Sequence, residues 1–118
     1  MHTREQGQHF ERLASEFLRK QGLVQIQSNY QARVGEIDLV MRDQETLVFV
    51  EVRYREKPGF GSPLETITPA KQKKIRTTAK LFLCEHGLYD KVDCRFDAIG
   101  ITMMDGKPCY EWVANAFS

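Results

Sequence analysis

The chain has 118 residues, of which 42% are hydrophobic and 28% charged, and its formal net charge is +1 at pH 7. These values predict one globular domain with a sizeable core. No apolar run is long enough to span a membrane and the polar N-terminus has no secretory signal region, so no membrane partner is expected. Three scattered cysteines (Cys84, Cys94 and Cys109) indicate free thiols in a reducing cytoplasm.

The small net charge hides an asymmetry along the chain. Residues 53–80 carry eight basic and two acidic side chains, a local charge of +6, which leaves about −5 for the remainder. Such a basic block favours a polyanionic partner such as nucleic acid. A solvated helix face gives the same charge pattern, so charge alone does not decide between the two.

The first predicted element is an amphipathic helix over residues 4–21, and Gly22 follows it where helices commonly end. Its apolar side chains recur at the spacing of one helix face: Phe10, Leu13, Ala14, Phe17 and Leu18. Glu11 lies beside this face, so it either looks into the fold or is a surface carboxylate. Alternating side chains over residues 23–30 predict the first strand.

Two β-rich segments, residues 35–42 and 47–53, flank a predicted hairpin turn at residues 43–46. The second segment is apolar up to Glu51, and a carboxylate within an apolar strand is costly unless it is paired or bound to a metal. Glu51 and Arg53 are two residues apart and therefore share one face of the strand.

A turn centred between residues 44 and 45 places Asp38 opposite Glu51, and Glu36 opposite Arg53. Directly opposed β-carbons are about 5 Å apart, so the Asp38 and Glu51 carboxylates repel each other unless a cation lies between them. Mg²⁺ and Mn²⁺ prefer carboxylate, carbonyl and water oxygens. We therefore predict a divalent metal site at Asp38, Glu51 and the carbonyl of Val52, with Arg53 positioned to hold a phosphate.

Residues 55–67 are rich in Gly and Pro and predict a mobile loop, with Phe60 at its tip either stacked on a base or packed on the protein. Thr68 and Pro69 predict the start of a second helix that runs to about residue 85. Near that start the candidate nucleic-acid-binding side chains are Lys71, Gln72 and Lys74, together with Arg55 from the preceding segment.

A second hairpin is predicted from residues 92–103 and 108–113 around Asp105-Gly106, with Asp97 in a salt bridge or anchoring a turn. The order is helix, three strands, helix, two strands. A helix that links two strands of one sheet predicts a crossover. The expected fold is therefore α/β, a mixed sheet of about five strands with helices packed on it.

The segments Gly35-Glu36-Ile37-Asp38 and Val50-Glu51-Val52-Arg53 resemble the Asp…Glu-x-Lys core of the PD-(D/E)xK nuclease superfamily. More closely, nearly the whole chain resembles the YraN-like bacterial family, also called uncharacterised protein family 0102. The matching positions are Gly7, Glu11 and Ala14, then residues 35–40, 47–55, 68–72 and 95–97.

The resemblance implies a restriction-endonuclease-like core, similar to archaeal Holliday-junction resolvases, within one nuclease-like domain over residues 1–118. It also implies Asp38 and Glu51 as metal ligands, Glu11 as an acid carried by the first helix, and Gln72 as an accessory residue. The superfamily usually has Lys where this chain has Arg53, which bears on efficient hydrolysis.

The preferred hypothesis is a Mg²⁺- or Mn²⁺-dependent endonuclease that hydrolyses DNA phosphodiester bonds, on branched or processed DNA, in recombination or repair. One alternative is a non-catalytic nucleic-acid-binding module of the same fold. Another is an interaction domain in which Glu51 and Arg53 form a structural ion pair. The likeness to resolvases suggests a homodimer because a junction has two symmetric strands, although no stretch of the sequence marks a dimer face.

Overall fold

A computed structural model describes residues 3–59 and 61–118, so the predicted role of Phe60 lies outside the described residues. Its elements are α1 (Arg4–Lys20), β1 (Val24–Ala32), β2 (Gly35–Asp43), β3 (Thr46–Arg55), a 3-10 helix (Pro63–Thr66), α2 (Pro69–Glu85), β4 (Cys94–Met104) and β5 (Lys107–Phe117). The five strands form one sheet in the order β1-β2-β3-β4-β5. β3 and β4 are parallel and the other neighbours antiparallel, which confirms the α/β mixed sheet and the predicted order of elements.

Local side-chain chemistry sets where the two helices begin. The Thr3 hydroxyl accepts the N–H of Gln6 while the Gln6 side chain accepts the N–H of Thr3, which satisfies two donors at the start of α1. Thr68 caps α2 in a similar way by accepting the N–H of Lys71, and Pro69 occupies the first turn. In the part of the chain that the structure describes, neither helix is long and apolar enough to cross a bilayer.

The helices bury opposite faces of the sheet, and each face has its own apolar core. The core under α1 contains Phe10, Ala14, Leu18, Leu23, Leu39, Met41, Val48, Val50, Val52, Ile99 and Ile101. The core under α2 contains Tyr30, Ile37, Val40, Leu47, Phe49, Ile75, Ala79, Phe82 and Leu83. Since successive side chains of a strand alternate, Val50 and Val52 on the α1 side place Glu51 and Arg53 on the α2 side.

The β2–β3 hairpin has the predicted register. Asp43 pairs with Thr46 and Leu39 pairs with Val50, as a turn centred between residues 44 and 45 requires. Gln44 has φ +55°, the left-handed conformation that tight two-residue hairpins use. The same physics closes the β4–β5 hairpin, where Asp105 and Gly106 both have positive φ.

The segment predicted to be a mobile loop contains an element that the sequence analysis missed. Pro63–Thr66 form the 3-10 helix, which Ser62 caps by accepting the N–H of Leu64 at 3.0 Å. A side chain at Gly100 of β4 would come within 3.2 Å of Pro63, so that glycine lets the 3-10 helix lie close to the sheet. The mobility of residues 55–67 stays a prediction.

Candidate active site

Asp38 and Glu51 come together where the regular pairing of β2 with β3 stops. Both are nearly buried, with 9% and 8% of their surfaces exposed. The N–H of Val52 donates to Asp38 Oδ2 at 2.8 Å, so the side chain of Asp38 takes the place of a strand carbonyl. This substitution carries the Asp38 carboxyl group to Glu51, with which it forms a side-chain hydrogen bond.

The same interruption corrects one predicted pairing. Glu36 was expected opposite Arg53, but the β2–β3 ladder ends at Leu39, and Glu36 is exposed. Its carboxylate accepts a hydrogen bond from Gln31 Nε2 at 2.6 Å, on the β1 side. The prediction is wrong because it assumed that regular pairing continues past the point where Val52 bonds to Asp38.

Burial gives the carboxyl pair unusual protonation. It raises the pKa of Glu51 to about 9, helped by the charge of Asp38 and a hydrogen bond with it, and only partly offset by Arg53. Burial also raises the pKa of Asp38, although hydrogen bonds from Glu51 and from the N–H of Val52 oppose the rise. We infer that the pair retains a proton at neutral pH, since the pKa of Glu51 lies well above 7.

Arg53 lies on the same side of the sheet as Glu51, as predicted. Its Nη1 lies 2.7 Å from Glu51 Oε2, and the same nitrogen donates to the Val52 carbonyl at 3.3 Å. Its Nε donates to Thr66 Oγ1 at 2.9 Å, which fixes the guanidinium from the other side. Thr66 was missed in the sequence. The Ser62-Pro63 pair, typical of a helix start, was the available signal for the element that carries it.

Glu11 approaches the pair from α1. It is half-buried, and burial raises its pKa to about 7, with further contributions from the charges of Asp38 and Glu36. Glu11 therefore looks into the fold, the first of the two options that its helix position left open. A carboxyl group with this pKa can gain or lose a proton near neutral pH.

A pocket of about 330 Å³ lies at the end of β3, beside Glu51. We call it the basic pocket because its lining residues include three cations and no carboxylate: Val52, Arg53, Tyr54, Arg55, Pro63, Thr66 and Lys71. Two of the predicted nucleic-acid-binding residues, Arg55 and Lys71, thus lie with Arg53. This composition favours an anion.

The other two predicted nucleic-acid-binding residues lie elsewhere on α2. Gln72 Nε2 donates to the carbonyl of Ile67 at 3.3 Å, and Gln72 lines a different cleft, which it shares with Glu65 and Glu111. Lys74 is exposed, and its Cβ lies close to Gly35 at the start of β2. The structure therefore separates Gln72 from the basic pocket.

The oxygen atoms at the pair suit a hard cation. Two carboxylates and the Val52 carbonyl match Mg²⁺, which binds one or two carboxylates and keeps several waters. No group of three or more His, Cys, Asp or Glu is arranged to hold a metal within residues 3–59 and 61–118. Because Arg53 contacts both Glu51 and the Val52 carbonyl, a bound metal requires Arg53 to move and the shared proton to leave.

A third buried carboxylate, Asp97 of β4, has a different role. Arg95 Nε donates to its Oδ1 at 3.0 Å and Arg95 Nη2 to its Oδ2 at 3.2 Å. Trp112 Nε1 and the N–H of Asn115 donate at 3.0 Å and 2.9 Å. Asn115 has φ +54° and lies where the β4–β5 register shifts. The predicted salt bridge of Asp97 is confirmed by its contact with Arg95. The hydrogen bond that Asp97 accepts from the N–H of Asn115 holds the irregular part of β5.

Comparison with known proteins assigns the family. Residues 10–101 match the model of the family described as Uncharacterised protein family UPF0102. A UPF0102 protein of Nitrosococcus oceani is 45% identical over 97% of this chain and 92% of its own length. Another, from Psychromonas ingrahamii, is 50% identical over 91% of this chain and 84% of its own length. The matched region contains Glu11, Asp38, Glu51 and Arg53, and the chain belongs to family UPF0102.

Proposed function

We propose that the protein is a metal-dependent endonuclease that hydrolyses phosphodiester bonds in DNA. The observation that carries the proposal is the meeting of Asp38 and Glu51, two nearly buried carboxyl groups, beside a pocket lined by three cations. Burying two acids together costs stability, and a divalent cation between them would offset that cost. The resemblance to the PD-(D/E)xK core supports the same assignment and a role in DNA recombination or repair, and the three scattered cysteines favour a reducing cytoplasm.

Each residue of the site has a chemical task in this proposal. Asp38, Glu51 and the Val52 carbonyl would hold Mg²⁺ or Mn²⁺, which supplies Lewis-acid activation of the phosphate and of a water. Arg53 would exchange Glu51 for a phosphate oxygen, since a guanidinium is always charged and cannot act as a base. Glu11, with its pKa of about 7, would take the proton from the attacking water.

The test is cleavage of labelled junction, flap, single-stranded and duplex DNA with Mg²⁺ or Mn²⁺. We expect metal-dependent cleavage of at least one substrate, abolished in Asp38→Asn and in Glu51→Gln. The matched control is Glu45→Gln, which removes an exposed carboxylate in the β2–β3 turn and should leave cleavage unchanged. Folded protein that cleaves none of these substrates in either metal contradicts the proposal.

A second candidate is a nucleic-acid-binding module without catalysis. The observation that favours it is Arg53, whose Nη1 engages both Glu51 and the Val52 carbonyl, two of the three groups that a metal would need. This alternative predicts salt-sensitive DNA binding without metal, weakened by Lys71→Ala, and no cleavage under any condition. Binding that persists while cleavage is absent would select it over the nuclease.

A further inference from the structure

The side of α1 that leans over β1 is polar, unlike the side that packs on the core. Between this side and β1 lies an open cleft of about 500 Å³, within the range of about 300–1,000 Å³ that is usual for small-ligand sites. Helix α1 contributes Gln8, Glu11, Arg12, Ser15, Glu16 and Arg19, and the strands contribute Gln25, Ser28, Asn29 and Leu39. We call this the α1–β1 cleft.

The lining of the α1–β1 cleft differs in chemistry from the basic pocket. Its two arginines are balanced by two glutamates, and the remaining polar side chains are amides and hydroxyls. A balanced surface gives no preference for a polyanion. Amide, hydroxyl and guanidinium groups together offer hydrogen-bond donors and acceptors. Such a lining suits an uncharged ligand that itself presents both, which is the character of a nucleobase edge.

The cleft also adjoins the candidate active site. Glu11 lines the cleft and interacts electrostatically with Asp38, and Leu39, the next residue in the chain, lines it as well. Asn29 lies at the position opposite Asp38 in β1 and has φ +53° within a strand. Non-glycine residues in this conformation cost about 1 kcal/mol or more and cluster at functional sites. Glu11 is therefore common to the cleft and to the candidate active site.

We propose that the α1–β1 cleft receives an unpaired nucleobase of the DNA strand whose phosphate is held beside Asp38 and Glu51. The inference rests on the proposed function and specifies its substrate class. A base that is stacked and paired in a duplex cannot enter a side pocket, whereas an unpaired or extruded base can. The preferred substrate is then DNA with an unpaired nucleotide next to the cleavage point, as at a bulge, a branch or an end.

The test compares three DNAs of equal length by fluorescence anisotropy without divalent metal. They are a fully paired duplex, the same duplex with one bulged nucleotide, and the same bulge with an abasic site in place of its base. The protein should bind the base-containing bulge about tenfold more tightly than the abasic bulge, since one or two hydrogen bonds to the base contribute about 1.4 kcal/mol. Arg12→Ala and Gln25→Ala should abolish this ratio.

Arg42→Ala is the matched control for Arg12→Ala, because Arg42 is an exposed arginine of β2 outside the cleft lining. It should lower affinity for all three DNAs by a similar factor and keep the ratio. Thermal melting of each variant shows whether it is folded, and Arg12 and Gln25 are both exposed. Equal binding of the base-containing and abasic bulges overturns the inference and leaves the nuclease proposal standing. Failure to bind or cleave any DNA removes the nuclease proposal and with it this inference.

Discussion

The buried carboxyl groups on neighbouring strands of this protein differ in what surrounds them, either hydrogen-bond donors or a second acid. Asp97 of β4 is fully buried and receives hydrogen bonds from Arg95, Trp112 and Asn115. Asp38 and Glu51 are almost as buried, but each has the other acid as a neighbour, and burial raises the pKa of both. A buried acid surrounded by hydrogen-bond donors stabilises the fold, whereas two buried acids that face each other lower its stability. That difference separates a structural carboxylate from candidates for chemistry.

The contrast between these two carboxyl environments is tested most directly by a substitution at Asp97. Asp97→Ala leaves the Arg95 guanidinium, the Trp112 N–H and the Asn115 N–H without their acceptor. We expect the free energy of unfolding to fall by about 3–5 kcal/mol, as on removal of one partner of a buried ion pair. Urea unfolding of the variant against the parent protein measures the loss. A loss below about 1 kcal/mol, the size of a surface contact, would show that the network around Asp97 is not structural.

Glu51→Gln should raise the free energy of unfolding, unlike Asp97→Ala, and the size of this increase should depend on pH. Burial raises the pKa of Glu51 from its ordinary value of 4.5 to about 9 in the folded protein, so between these values the folded state keeps a proton that the unfolded chain has lost. The stability that this group contributes is therefore complete below pH 4.5 and disappears as the pH rises through 9. Glutamine keeps a donor to Asp38 and cannot ionise.

We expect Glu51→Gln to match the parent protein near pH 5 and to be more stable at pH 9. The difference should grow to at least about 2 kcal/mol, since each pH unit between the two pKa values costs the parent protein up to about 1.4 kcal/mol. Urea unfolding across this pH range measures it. A difference that does not change with pH would mean that Glu51 is ionised throughout and that the pair shares no proton.

These two carboxylate environments also show how far the sequence could lead. The interruption of an apolar strand by Glu51, and its spacing from Arg53, predicted that these two side chains share one face, because alternation along a strand is independent of the rest of the fold. The turn at residues 43–46 predicted the register up to Leu39. It could not predict that the N–H of Val52 would bond to a side chain, because that exchange depends on the three-dimensional course of β2.

The contact of Thr66 with Arg53 could not be predicted from the sequence for a related reason. The Gly- and Pro-rich composition of residues 55–67 predicts a loop, and a four-residue 3-10 helix has too few residues to show a period. Gln72 was grouped with Lys71 because they are neighbours in sequence. Adjacent helix residues point in different directions, so the two side chains line different clefts.

Metal binding tests the Asp38–Glu51 pair further, and we expect it to change stability less than the two substitutions above. A cation at Asp38 and Glu51 must displace the shared proton, so its affinity should rise with pH. We expect the increase in Tm on adding Mn²⁺ to grow by a few degrees between pH 6 and 9, where 1 kcal/mol corresponds to about 4 °C for a domain of this size. Glu51→Gln should remove this increase, while Glu45→Gln should retain it. An increase that is equal at both pH values would place the metal elsewhere.

The smallest expected effect concerns Thr66, which holds Arg53 in place. Thr66→Val removes the hydroxyl that accepts from Arg53 Nε and donates to the Pro63 carbonyl. Because Thr66 is exposed, stability should change by no more than about 1 kcal/mol. DNA affinity should nevertheless fall, since Arg53 then loses the contact that directs it toward the basic pocket. Thr77→Val, which removes an exposed α2 hydroxyl bonded to the Lys73 carbonyl, controls for the chemical change. If both variants bind DNA like the parent protein, Thr66 does not position Arg53 for phosphate. The Arg53 guanidinium then has a structural role, as Arg95 has beside Asp97.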